Sequence, residues 1–144
     1  MASPFKQFKT NTVLETEGVW LDFGGWEIKA ARAGGSNKRY LPATELHFRE
    51  HKQAAAVGVL PEDVARKALY NVYADAVILG WRTKQEDGSY VPTIEGPDGE
   101  PWDFTRENVI KLFELIPDVF NIIKPMVENF ATFQRGMRDE TVKN

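Results

Sequence analysis

Apolar and polar positions change period several times along this chain, and each change marks an element. In Trp26-Glu-Ile-Lys-Ala30 the apolar Trp26, Ile28 and Ala30 alternate with Glu27 and Lys29, the period of a half-buried strand. In the stretch before it, Val19, Leu21 and Phe23 share one face while Trp20 and Asp22 take the other. Gly24-Gly25 between the two runs supplies the positive φ angles of a tight turn, so residues 16–32 predict a β-hairpin. A lone hairpin is marginal in water, so something must cover its apolar face.

Beyond the hairpin the period becomes helical. Gly34-Gly35 breaks the chain, and Ser36 or Asn37 stands where a cap would open a helix over about 38–57. Pro61-Glu62-Asp63 opens a second helix over 61–79, with Val64, Ala68, Val72, Ala76 and Leu79 among its i, i+3, i+4 stripe and Gly80 as its stop. Residues 81–104 are turn-rich around a short Tyr90–Ile94 run and read as a surface excursion with room for a small hairpin. Thr105 caps a third helix over 106–115. Pro117-Asp118 opens a fourth over 117–134, which Pro125 should kink or split. Residues 1–12 read as a flexible N-terminal arm that Phe5 and Phe8 could pin to the body, and 135–144 as a flexible polar tail. The predicted fold class is therefore mainly α with an N-terminal β-hairpin (α+β), one small helical domain of about four helices over 13–134.

Composition narrows the function. The 144 residues suit one domain, and 42% hydrophobic content with nine Phe, four Trp and four Tyr supplies a core. With no cysteine, disulfides, thiolate metal sites and cysteine nucleophiles are excluded. No apolar run reaches the ~18–20 residues of a membrane span, and the first residues lack the apolar core of an export signal. A net charge of −3 argues against a broad nucleic-acid face, which needs a basic excess.

Three constellations invite chemistry. His47-Phe-Arg-Glu50-His51 is an H-x-x-E-H string, the inverted zinc-peptidase motif, and Glu128 lies at the downstream distance of that class's third ligand. That enzyme class sets its motif beside a large sheet, whereas the pattern of this chain predicts only a hairpin, so two His on a charged helix is the preferred reading and zinc peptidase a remote alternative. No cofactor, metal or catalytic site is expected, and nucleophile-elbow, phosphate-loop and dinucleotide motifs are missing from the sequence. Lys29 to Arg39 forms a basic cluster around Gly34-Gly35 that could hold an anion or a partner's carboxylate, or could simply turn the chain. The fourth helix is apolar on two sides: Val119, Ile122, Met126 and Phe133 on one, Phe120, Ile123, Val127 and Phe130 on the other, with Met137 just beyond. Such a helix either lies in the middle of the domain or meets another chain; a domain this small cannot easily hide both sides, so a partner-binding surface is expected from Val119, Phe120, Ile123, Met126, Val127, Phe130 and Phe133.

Four blocks in order, Leu14–Phe23, Ile28–Tyr40, Val72–Trp81 and Phe104–Phe113 with Pro117–Phe120, are similar to tail assembly chaperones of long-tailed bacteriophages. The resemblance spans roughly residues 13–134. It implies a non-enzymatic assembly factor of the host bacterial cytoplasm that binds the tape measure protein, keeps it soluble and helps recruit tail tube protein. It also implies possible self-association and absence from the mature virion, and it leaves a structural tail or connector subunit as the alternative. The excursion around Ile94–Pro101 is longer than the family pattern, and Pro125 interrupts the last helix.

Overall fold

A computed structural model describes residues 1–134; the expected tail over 135–144, Met137 included, lies outside the described residues. Two short helices, α1 (Pro4–Phe8) and α2 (Thr12–Glu17), precede strands β1 (Val19–Asp22) and β2 (Trp26–Ala30). The strands pair antiparallel from Val19 opposite Ala30 to Asp22 opposite Glu27. Gly24 and Gly25 adopt φ +87° and +101°. A Cβ at either glycine would meet nothing, so the turn selects glycine for its backbone angles and not for space.

The expectation of a mainly helical domain with about four helices is overturned. Among the described residues the fold is α+β, with seven α-helical segments and six strands in two antiparallel sheets. The first reason lies after residue 76. Helix α5 (Glu62–Ala76) stops short of 79, and Ile78–Lys84 form β3, which pairs antiparallel with β2. Ile78, Trp81 and Thr83 are β-formers, and Trp81, directly opposite Ile28, is buried. The aliphatic stripe of α5 runs straight into this strand, and Gly80, taken as a helix stop, sits within it. The second reason is the excursion. It supplies β4 (Tyr90–Val91), which pairs with β3 to complete a sheet of order β1-β2-β3-β4, and the hairpin of β5 (Thr93–Glu95) and β6 (Pro101–Asp103). Trp81 pins that hairpin to the sheet: its Nε1 donates to the Trp102 carbonyl at 3.0 Å, and its ring packs on Trp102 and Phe104.

The helix expected over 38–57 is broken into α3 (Tyr40–Phe48), a 3-10 turn (Arg49–His51) and α4 (Lys52–Ala56). Neither Ser36 nor Asn37 caps α3. Asn37 is buried and instead donates from Nδ2 to the carbonyls of Arg32 and Ala76, joining the end of β2 to the end of α5. Thr105 caps α6 (Arg106–Leu115) by accepting from the Asn108 N–H at 3.1 Å. Helix α7 (Pro117–Glu128) runs through Pro125 and ends at Asn129, and the remainder is a 3-10 segment (Phe130–Gln134). The core lies between one sheet face (Leu21, Ile28, Ala30, Trp81) and helices α5, α6 and α7.

Candidate functional site

Helix α7 decides where a partner can dock. Its Phe120, Ile123 and Val127 are buried, as is Phe133 beyond it. Phe120 packs its ring at 4.9 Å from Tyr70, 4.9 Å from Tyr73 and 5.2 Å from Phe113, so it is the keystone of the α5–α6–α7 contact. These four residues, expected at a partner surface, are enclosed by their own chain. The cause is the aromatic wall of α5 and α6, where Tyr70, Tyr73 and Phe113 cover this side of the helix around Phe120. Val119, Met126 and Phe130 are half-buried, and Phe130 carries the Phe8 ring at 4.9 Å. Ile122, on the Val119/Met126 side, is 53% exposed. The two-sided helix is thus real in its geometry, but only one side is open.

The open side continues into a groove. Leu112, Ile116 and Val119 at the α6–α7 corner face the turn residues Gly24-Gly25, with Trp26 and Ile94 between them, and enclose about 520 Å³. Thr83 lines the wall, and Lys84 and Glu95 set one charge of each sign beside it. Ile116, which lines the groove, is 50% exposed. Local rules put it there. Ile116 precedes Pro117 and takes φ −132°, ψ 78°, as a residue before proline must leave the helical region. The helix stripe therefore ends at Ile116 and its side chain is turned outward. Phe23 stacks on Trp26 at 4.8 Å and stiffens the opposite wall. The sequence signals for this site were present but divided between elements: Pro117 marks the corner, and Trp26 stands one residue after the glycine turn.

The basic cluster around Gly34-Gly35 does hold a carboxylate, and it belongs to the same chain. Glu15 of α2 is 2% exposed. It accepts from Thr10 Oγ1 (2.5 Å), Arg32 Nη1 (2.8 Å) and the Ser36 N–H (3.2 Å). Burial alone would raise the Glu15 pKa, but these hydrogen bonds and the Arg32 charge hold it below the ordinary carboxylate value. Gly35 has φ +53°, and any Cβ there would collide with the Glu15 carboxylate. This is a saturated internal anion site with no room for a guest.

The H-x-x-E-H string is also resolved by geometry. Phe48 leaves the helical region (φ −103°, ψ 2°), so His47 and His51 do not lie on one continuous helix. His47 Nε2 contacts Asp75 Oδ2 at 2.5 Å, and Arg106 donates to the other Asp75 oxygen at 2.6 Å and to Asn71 at 2.7 Å. Glu128 is paired with Lys124 at 3.1 Å. Among the described residues no three His, Asp or Glu side chains converge as metal ligands. Burial raises the Asp75 pKa, yet its bonds to Arg106 and His47 outweigh that and lower it. The cluster ties α3, α5 and α6 together and has the connectivity of a clamp.

Among the described residues no helix is long and apolar enough to cross a membrane. No curated protein and no solved structure matches the chain. The family model for the YdaY prophage protein matches residues 35–144, well over half of the 144 residues and every element from α3 onward. The chain is of phage origin and belongs to the YdaY prophage protein family.

Proposed function

We propose that this protein is a non-enzymatic tail assembly chaperone that holds an apolar segment of the phage tape measure protein in the groove between the β1–β2 turn and the α6–α7 corner. The observation that carries this reading is the groove itself: about 520 Å³ walled by Trp26, Ile94, Leu112, Ile116 and Val119, with Ile116 half exposed. Exposed apolar surface of this kind marks a site for another polypeptide. A groove with aliphatic and aromatic walls receives the apolar stripe of an amphipathic helix. Phage membership fits a phage client, and the resemblance of the four sequence blocks to tail assembly chaperones is the support for naming the tape measure protein. The surrounding acidic balance keeps a coated client soluble, and many copies along one long client convert weak single contacts into avidity. In this reading the protein works in the host bacterial cytoplasm, helps bring tail tube protein to the tape measure, and needs neither cofactor, nucleic acid nor membrane.

Co-expression with the tape measure protein tests the proposal. The client should move from the insoluble to the soluble fraction and co-purify with this chain, while purified phage particles should lack it. A client equally soluble without it would refute the chaperone reading. Presence in particles at fixed stoichiometry would favour a structural tail subunit.

A further inference from the structure

The face of the large sheet turned away from the core carries one ordered cation. In the ladder Trp20 stands opposite Lys29 and Lys29 opposite Gly80, while Glu27 stands opposite Arg82. Gly80 has no side chain, so the Trp20 ring crosses β2 and lies over it, 3.8 Å from where a Cβ would stand. There it meets Arg82, whose guanidinium carbon is 3.8 Å from the Trp20 ring centroid and 3.7 Å from that of Tyr90 on β4. Two rings that near cannot share one side of the carbon, so the guanidinium is clamped between them. Glu27 Oε1 accepts from Arg82 Nε at 2.6 Å and fixes its rotation.

The clamp leaves the outer end of the guanidinium unused. Among the described residues the N–H groups on Arg82 Nη1 and Nη2 find no acceptor, and neither does Trp20 Nε1. These nitrogens reach the surface, since Tyr73 Oη alone among the described side-chain atoms is both buried and unpaired. Lys29 Nζ, 5.8 Å from the Trp20 centroid, has no acidic partner among the described residues either. Around the stack Lys29, Arg82 and Lys84 stand against Asp22 and Glu27, an excess of one positive charge. That balance suits single carboxylates and not the continuous negative charge of a nucleic-acid backbone.

We infer that this face docks an acidic segment of a protein partner, with Arg82 taking one Asp or Glu carboxylate through Nη1 and Nη2 between the flanking Trp20 and Tyr90 rings. A guanidinium fork matches a carboxylate by two parallel hydrogen bonds, which an ammonium cannot make. Clamped beforehand, it loses little freedom on binding. Lys84 borders the groove, but Trp20, Arg82 and Tyr90 do not line it, so the inference is independent of what the groove binds.

The test is a titration of the full-length chain with fluorescein-labelled hexaglutamate amidated at its C-terminus, beside equally labelled hexaglutamine and an oligothymidylate. Hexaglutamate should bind and hexaglutamine should not. Arg82→Lys keeps a cation for Glu27 but loses the fork, and should weaken binding about tenfold. Tyr90 is 41% exposed, so Tyr90→Leu opens the clamp at little cost to the fold and should weaken binding several-fold. Thermal unfolding is measured on both variants, and Tyr90→Leu decides if Arg82→Lys fails to fold. No binding of hexaglutamate to the parent, or equal affinity in the folded variants, would overturn the inference. Tighter binding of the oligothymidylate that depends on Arg82 would make the partner a nucleic acid and overturn it as well.

Discussion

Glu15 shows how much one side chain can organise. It gathers Thr10, Arg32 and Ser36 around a buried carboxylate and so fastens α2 to the loop that follows β2. Removing it leaves Arg32 and the Ser36 N–H without their acceptor. Glu15→Ala should therefore destabilise the fold by about 3 kcal/mol, readable as a lower denaturant midpoint with unchanged slope. The pH dependence has a definite sign. A carboxylate whose folded pKa is depressed adds stability that is complete above its unfolded value, 4.5 for Glu15 and 3.8 for Asp75, and that is lost as pH falls through the folded values. Acid titration of stability should show this loss below about pH 4.5, and Glu15→Gln should make the acid limb shallower. A loss equally steep in Glu15→Gln would remove Glu15 from the account. Tyr73 stands at the other extreme: its hydroxyl is buried with no hydrogen-bond partner among the described residues, and burial, then the neighbouring Tyr40 and Glu128, push its pKa up. Tyr73→Phe should accordingly be neutral or slightly stabilising in thermal unfolding, because no hydrogen bond is lost.

The elements show which patterns in the sequence carry structure by themselves and which depend on a distant partner. The glycine turn, the Thr105 cap and the Pro117 helix start are local devices, and they stand where the sequence places them. Strand β3 could not be found that way. Its identity depends on β2, some fifty residues earlier, and without that partner Val77 and Leu79 simply extend the helical stripe of α5. The same holds for β4 to β6, whose turn-rich sequence folds because Trp81 offers Trp102 a ring and a donor. Helix α7 is instructive in another way. Its two apolar sides are legible, but which of them is core depends on which one meets the rings of α5 and α6. The open side was therefore readable only as a choice between two sets of residues, and the set containing Phe120 was the wrong one to expose. Proline 125 has an energetic consequence at this scale. It deprives α7 of one backbone donor, yet the helix continues to Glu128. Pro125→Ala should raise stability by about 1 kcal/mol, seen as a higher melting temperature. A fall would mean that the proline shapes the corner that ends at Asn129.

For the whole molecule the arrangement is a sheet with one face on three helices, a latch at one end and an open groove at the other. The latch collects the N-terminal segment, α2 and the final 3-10 segment through Glu15, Asn11 and Gln134. The groove lies where the β1–β2 turn, the end of β3 and the α6–α7 corner come together. Ile116 lines the groove and is half exposed, so a polar substitution there costs the fold little, whereas Phe120 is enclosed by three aromatic rings. Phe120→Ala should cost about 3–5 kcal/mol and remove binding only by unfolding the protein. The family match begins at residue 35, so the groove's Gly24-Gly25-Trp26 wall lies outside the matched region while its helical wall lies within it.

The most direct test is a binding titration of tape measure protein against the parent chain and Ile116→Ser, with thermal unfolding measured on both. The account predicts melting temperatures within a few degrees of one another and client affinity at least tenfold weaker in the variant. A folded variant that holds the client as tightly as the parent would contradict the assignment of the groove.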